Sequence, residues 1–177
     1  MNLWFRLFRI LLSGMLAKKV NWFEPTQVAF RVWPTDLDIN LHLTNSRYMA
    51  LMDLARVDML ARTGLWRWIR ERKLAPVVAS AMVRFRRPIA PFARFTIMTR
   101  FIGWDTKWLF IEHRVECKGE LVCLTAVKTA FLGKTGPIAP NDIVRDFGHT
   151  EVRKPLPDWI ATWQAAEYAA SQNGDKA

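Results

Sequence analysis

Residues 33–56 read WPTDLDINLHLTNSRYMALMDLAR, and the reading of this stretch decides the fold. Its first half is a polar loop: Pro34 ends whatever precedes it, and Asp36, Asp38, His42 and Asn45 fall within ten residues. Its second half is a helix, expected from Ser46 or Tyr48, with Asn45 as the N-cap and Gly64 after Arg62-Thr63 as the stop. Tyr48, Met49, Leu51, Met52, Ala55, Val57, Met59 and Leu60 leave this helix apolar nearly all round. A helix with no polar face has to be surrounded by other elements, so this one belongs in the middle of the domain.

The flanking sequence supplies the surround. QVAFRVW (27–33) alternates as a strand, with Val28, Phe30 and Val32 on one face. After a short amphipathic piece, LWRWIRERK (65–73), four stretches rich in β-branched and aromatic residues follow: 75–89, 94–104, 107–117 and 120–132. Pro88 and Pro91, Gly103–Asp105 and the two-residue turn Lys118-Gly119 separate them. PNDIVRDFG (140–148) is a helical turn, and LPDWIATWQAAEYAA (156–170) is a last helix before a frayed end. A strand, a buried helix and then an antiparallel meander of four strands make an α+β protein. One curved antiparallel sheet wraps a long central helix, the hotdog arrangement, with the polar loop at that helix's N-terminus.

The domain so defined covers residues 21–150, between an N-terminal helix (1–20) and a C-terminal helix with its tail (151–177). The N-terminal segment, MNLWFRLFRILLSGMLAKKV, is interrupted by Arg6 and Arg9, and its uncharged run Ile10–Ala17 is too short to cross a bilayer. On a helical wheel Asn2, Arg6, Arg9 and Ser13 form a narrow strip, while Leu3, Trp4, Leu7, Ile10, Leu11 and Met15 cover much of the rest. Three readings stand: an interfacial helix on an anionic membrane, a helix docked on the domain or on a partner subunit, or a secretory signal or span, although no small-x-small cleavage site precedes Lys18. The charge of +10 asks for an anionic partner, and with no stacking motif or recognised module beside it we expect no nucleic acid. Cys117 and Cys123 lie on one hairpin; in its register Cys117 faces Glu120 and Cys123 faces Arg114, so the thiols do not meet. Reduced cysteines fit a cytoplasmic protein, held peripherally at a membrane if residues 1–20 are interfacial. Three scattered histidines and these two cysteines give no metal-ligand spacing, so no metal is expected.

DLDINLHLTNSRYMALMDLAR (36–56) resembles the signature of hotdog-fold acyl-CoA thioesterases of the 4-hydroxybenzoyl-CoA thioesterase type, and is most similar to the subgroup of thioesterase superfamily member 6. That signature runs D-x-D-x-x-G-H-x-N-N-x-x-Y, and Asp36, Asp38, His42, Asn45 and Tyr48 occupy matching positions. RRPI (86–89), DTKWLFIEHRVE (105–116) and KTGPIAP (134–140) extend the likeness over about residues 24–145. Leu41 stands where the signature has glycine, and Thr44 where it has the first asparagine.

The resemblance implies thioester hydrolysis without metal or redox cofactor, coenzyme A entering only as part of the substrate. It assigns Asp38 as base or nucleophile, with His42 positioning the loop or the water and Asn45 beside them. Backbone N–H groups around Leu43–Asn45, at the positive end of the central helix, are the oxyanion donors. Leu41, Leu43, Thr44 and Tyr48 are the expected substrate contacts, and Arg86 and Arg87 the contacts to the coenzyme's phosphates. The bland reading of Asp38 is an Asx-turn ahead of a helix, and that of the arginines a charged sheet edge. Glu112 and His113 are neighbours on a strand, point to opposite faces and form no dyad. GKTG (133–136) is not a P-loop, since position 128 is lysine rather than glycine. The resemblance further implies an acyl-CoA or acyl-carrier-protein substrate and a homodimer or dimer of dimers, joined by sheet edges with the sites at the interface. A hotdog hydratase using Asp38 and His42, and a non-catalytic membrane-associated acyl-binding or scaffold protein, are the alternatives.

Overall fold

The computed structural model describes residues 3–148 and 156–174. Asn2 of the polar strip and the expected boundary at residue 150 lie outside the described residues. In chain order the elements are α1 (Leu3–Leu16), β1 (Thr26–Arg31), a 3-10 turn (Pro34–Asp36), α2 (Asn45–Arg62) and α3 (Leu65–Glu71). Then come β2 (Ala75–Phe85), β3 (Arg94–Trp104), β4 (Leu109–Cys117), β5 (Glu120–Gly133), a two-residue β6 (Gly136–Pro137), α4 (Pro140–Asp146) and α5 (Asp158–Gly174).

The sheet is antiparallel in the order β1-β3-β4-β5-β2, and α2 lies in its hollow: this is the hotdog fold. The meander expected of the last four long strands is corrected in one respect. β3, β4 and β5 follow one another, but β2 pairs with β5 at the far edge. Alternation in a strand specifies which face is buried, not which strand lies beside it.

Leu51, Met52, Ala55 and Met59 of α2 are fully buried, each large side chain contributing about 1.5–3 kcal/mol of transfer free energy. Phe30, Phe95, Ile97 and Val115 of β1, β3 and β4 form one cluster with Leu51, Met52 and Ala55, while Met59 packs in a second with Phe101, Leu109 and Val127. The helix is apolar nearly all round because it is covered on a second side by α1. Gly14 makes that close approach: a Cβ there would lie 3.2 Å from both the Ala61 Cβ and an Asp58 carboxylate oxygen.

α1 is therefore docked on the domain, and with its polar strip partly inward. Arg6, Ile10 and Gly14 are buried, and Arg9 donates to the Ala29 carbonyl at 3.1 Å. Trp4, Phe5, Phe8, Leu12, Met15 and Leu16 point away from the domain, Phe8 being 69% exposed. Among the described residues no helix is long and apolar enough to cross a membrane.

The outer face of the sheet is covered by α5, whose Trp159, Ile160 and Trp163 pack with Phe110, Ala126 and Met82. Lys128 is clamped between Glu167 and the rings of Trp108 and Trp163. With both faces covered, β5 is buried along most of its length rather than on alternate residues. Both cysteines are free. Cys117 faces Glu120 as expected, but an irregularity between Val115 and Glu116 moves the register, so Cys123 lies opposite Val115 and not Arg114.

Candidate active site

The loop between β1 and α2 is anchored by Asp36. Its carboxylate is buried, ion-paired with Arg6 of α1, 3.6 Å from the Arg47 guanidinium, and accepts the Trp33 N–H at 3.0 Å. Burying a carboxylate is unfavourable without such partners, so this aspartate fixes the loop rather than serving the chemistry. The Thr44 N–H donates to the Asp36 carbonyl at 2.9 Å, and the Leu43 N–H to Ile89 at 3.0 Å.

Within that frame Asp38 folds the loop tip about itself. Its Oδ1 accepts the Asn40 N–H at 2.9 Å and the His42 N–H at 3.1 Å, while its own N–H donates to the His42 carbonyl. The Asx-turn is thus real, yet it uses one carboxylate oxygen. Oδ2 takes no hydrogen bond from the described residues. Leu41 has φ of +57°, the left-handed region that favours glycine and is strained by about 1–2 kcal/mol for other residues. That is the physical content of the signature's glycine. Leu41 accepts the strain with its side chain 64% exposed, and it does not line the site.

Asp38, His42, Leu43, Asn45, Tyr48, Arg86 and Arg87 do come together, around a pocket of about 300 Å³. Phe85 and Pro88 complete it, and sequence reasoning passed over both. The signal for Phe85 was its place in RFRRP, an apolar ring among arginines at the end of β2. Its ring meets that of Tyr48 edge-on at 5.2 Å, and burial pushes the Tyr48 phenol well above its ordinary pKa, keeping it protonated. Arg87 pairs with Glu120, whereas Arg86 forms no ion pair among the described residues.

Two expectations shift by a residue. Thr44, not Asn45, holds the N-cap position of α2, without a side-chain capping bond, and Thr44 does not line the pocket. The Leu43 and Thr44 N–H groups are already spent on Ile89 and Asp36, which removes them as oxyanion donors. The N–H groups of Asn45 and Ser46 open the helix and have no acceptor among the described residues. Glu112 and His113 do point apart: Glu112 pairs with Arg100, His113 with Thr99 and Arg56. Among the described residues no three His, Cys, Asp or Glu side chains gather as metal ligands.

Comparison with known proteins finds relatives in sequence and in fold. Protein THEM6 of Xenopus laevis is 29% identical over 144 residues, spanning 80% of this chain and 68% of that one. Protein THEM6 of Drosophila melanogaster is 26% identical over 167 residues, spanning 93% and 85% respectively. Among solved structures, the YbaW probable thioesterase from Escherichia coli superposes with a TM-score of 0.65 at 22% identity, over 70% of this chain and 96% of that one. A 4-hydroxybenzoyl CoA thioesterase mutant complexed with 4-hydroxybenzoyl CoA gives 0.61 at 21%, over 68% and 96%; both likenesses are of fold. The thioesterase-like superfamily matches residues 32–164, a span that takes in the loop, α2 and strands β2 to β6, and the chain belongs to that superfamily.

Proposed function

We propose that the chain hydrolyses acyl-CoA or acyl-carrier-protein thioesters, with Asp38 as base or nucleophile and the Asn45 and Ser46 N–H groups as oxyanion donors. One observation carries this: a carboxylate with one oxygen held by the loop and the other unengaged shares a pocket with the first turn of the buried helix. As base, Asp38 takes a proton from water, the resulting hydroxide adds to the thioester carbonyl, and collapse expels the thiolate, which recovers the proton. As nucleophile, its carboxylate displaces the thiolate to form a mixed anhydride that water then opens. In either route negative charge develops on the carbonyl oxygen, where free N–H groups at a helix N-terminus stabilise it. Arg86 and Arg87, exposed at the pocket rim, serve the coenzyme's phosphates.

The working unit is a dimer joined through β2. Of the two sheet edges, β1 is capped by α1, with Arg6 and Arg9 donating to the Arg31 and Ala29 carbonyls. β2 is eleven residues long, largely exposed and apolar, the kind of edge that pairs with another strand. The outer face is already occupied by α5, which favours a dimer over a dimer of dimers. The outward apolar face of α1, beside Arg9, Lys18 and Lys19, is assigned to an anionic membrane surface.

A panel of acyl-CoAs with a thiol-detecting dye tests the activity: thiol release by the wild type supports it, and no turnover at any chain length leaves the acyl-binding reading. Flotation with vesicles containing anionic lipid tests the location. The wild type should float and a Phe5→Ser/Phe8→Ser variant should stay below; equal flotation of both removes the membrane assignment.

A further inference from the structure

A second, half-open cavity of about 210 Å³ lies at the other end of the seam between α2 and β2. Val57 and Leu60 of α2, Val77 of β2, Ile111 of β4 and Phe131 of β5 make it largely apolar. Two charged side chains share its wall, Asp53 and Arg56, and they are ion-paired with each other. The Arg56 side chain is only 12% exposed and donates to His113 Nε2 at 2.9 Å. A guanidinium has no acceptor, so Nε2 accepts and the ring's proton sits on Nδ1, which faces Thr99 Oγ1 at 3.0 Å. Burial, with Arg56 beside it, holds the His113 pKa well below its ordinary value, so this neighbour is neutral and supplies no counter-charge. Among the described residues the one carboxylate paired with Arg56 is Asp53, which is 63% exposed and lines the same cavity. Burial pushes the Arg56 guanidinium down to about 10. A buried cation whose counter-ion is largely exposed can exchange that carboxylate for one on a ligand, which leaves Asp53 to water.

We propose that this cavity receives the far end of the acyl group, that Arg56 selects acyl groups ending in a carboxylate, and that it does so for the Asp38 site of the partner subunit. The inference rests on the thioesterase reading and on the β2-paired dimer. A two-fold dimer using one edge pairs that strand with itself antiparallel. β2 runs from this cavity, at Pro76–Val78, to the Asp38 pocket at Phe85. Antiparallel pairing therefore lays the cavity end of one strand beside the Asp38 end of the other, with neighbouring strands about 4.8 Å apart. Within one chain the route is less direct. Tyr48 and Arg56 are two turns of α2 apart, about 12 Å along the axis, and the fully buried Met52 lies between them. A guanidinium fork matches a carboxylate in geometry as well as charge, and the apolar walls accommodate the methylenes leading to it.

The test compares kcat/KM for octanoyl-CoA and its carboxyl-terminated counterpart suberoyl-CoA, with shorter and longer pairs alongside. The wild type should prefer one carboxyl-terminated substrate by tenfold or more. Arg56→Met should abolish that preference, and Arg56→Lys, which keeps the cation, should retain part of it; melting curves establish that both fold. Mixed dimers of Asp38→Asn and Arg56→Met chains then locate the residue. If Arg56 acts across the interface, one site in each mixed dimer has both groups intact and the preference returns. Turnover without a carboxylate preference, or a preference indifferent to Arg56→Met, overturns the selection. A mixed dimer that recovers nothing overturns the placement across the interface. No turnover of any substrate by the wild type defeats the thioesterase reading and this inference with it.

Discussion

His113 makes the folded protein acid-sensitive in a way that can be calculated. It is fully buried on β4 between Thr99 and Arg56, and burial first, then the Arg56 charge, holds its pKa well below the ordinary 6.5. The sign follows from which state takes up the proton. As pH falls through 6.5 the unfolded chain protonates this histidine and the native chain does not, so stability falls with falling pH. The slope for one proton is about 1.4 kcal/mol per pH unit. The slope is reached progressively below pH 6.5, so the loss accumulated between pH 7.5 and pH 5 has a ceiling of about 2 kcal/mol. Urea unfolding of wild type and His113→Asn at pH 7.5 and pH 5 isolates the effect, because contributions common to both chains cancel. The wild type should lose more stability than the variant over that interval, up to about 2 kcal/mol. Parallel pH dependences would refute a neutral, buried His113.

Arg6 and Asp36 are both buried and paired, so Arg6→Met strands a carboxylate and should destabilise by about 3 kcal/mol, measured by denaturant unfolding. Adding Asp36→Asn to that variant should recover part of the loss. Asp58 has its carboxyl pKa raised by burial, an effect only partly offset by Arg62. A raised carboxyl costs stability as pH rises above its ordinary value of 3.8, so Asp58→Asn should melt higher than the wild type at pH 7, with the gap closing near pH 4.

What could be read beforehand was whatever depends on periodicity. The apolar circumference of α2, the alternation of β1 and the turn at Lys118-Gly119 each signal themselves within a few residues. What escaped depends on partners distant in sequence. The amphipathicity of α1 was plain, but which face turns inward is decided by Asp36, thirty residues away, and by Gly14 meeting Ala61. The partner of β2 and the one-residue shift at Cys123 are set by pairing that alternation does not encode. In the site, the signature located Asp38 and its neighbours, while the glycine-to-leucine departure pointed to a backbone demand that the positive φ of Leu41 explains. The N–H groups of Leu43 and Thr44 looked like oxyanion donors because their acceptors, Ile89 and Asp36, are supplied by the folded loop. Arg56 was hidden for a similar reason, since nothing in the sequence of α2 marks it out from Arg47 and Arg62 as the arginine that faces a buried histidine and a cavity.

The central claim is that Asp38 acts chemically and not only as a turn, and the loop geometry allows the two roles to be separated. Asparagine keeps the side-chain oxygen that accepts the Asn40 and His42 N–H groups but cannot serve as base or nucleophile, whereas alanine removes both roles. The measurement is kcat/KM of Asp38→Asn on the best acyl-CoA, with a melting curve for the same preparation. The account predicts a wild-type melting curve with activity lower by about 10²–10⁴-fold. An Asp38→Asn protein that hydrolyses acyl-CoA at the wild-type rate would contradict it.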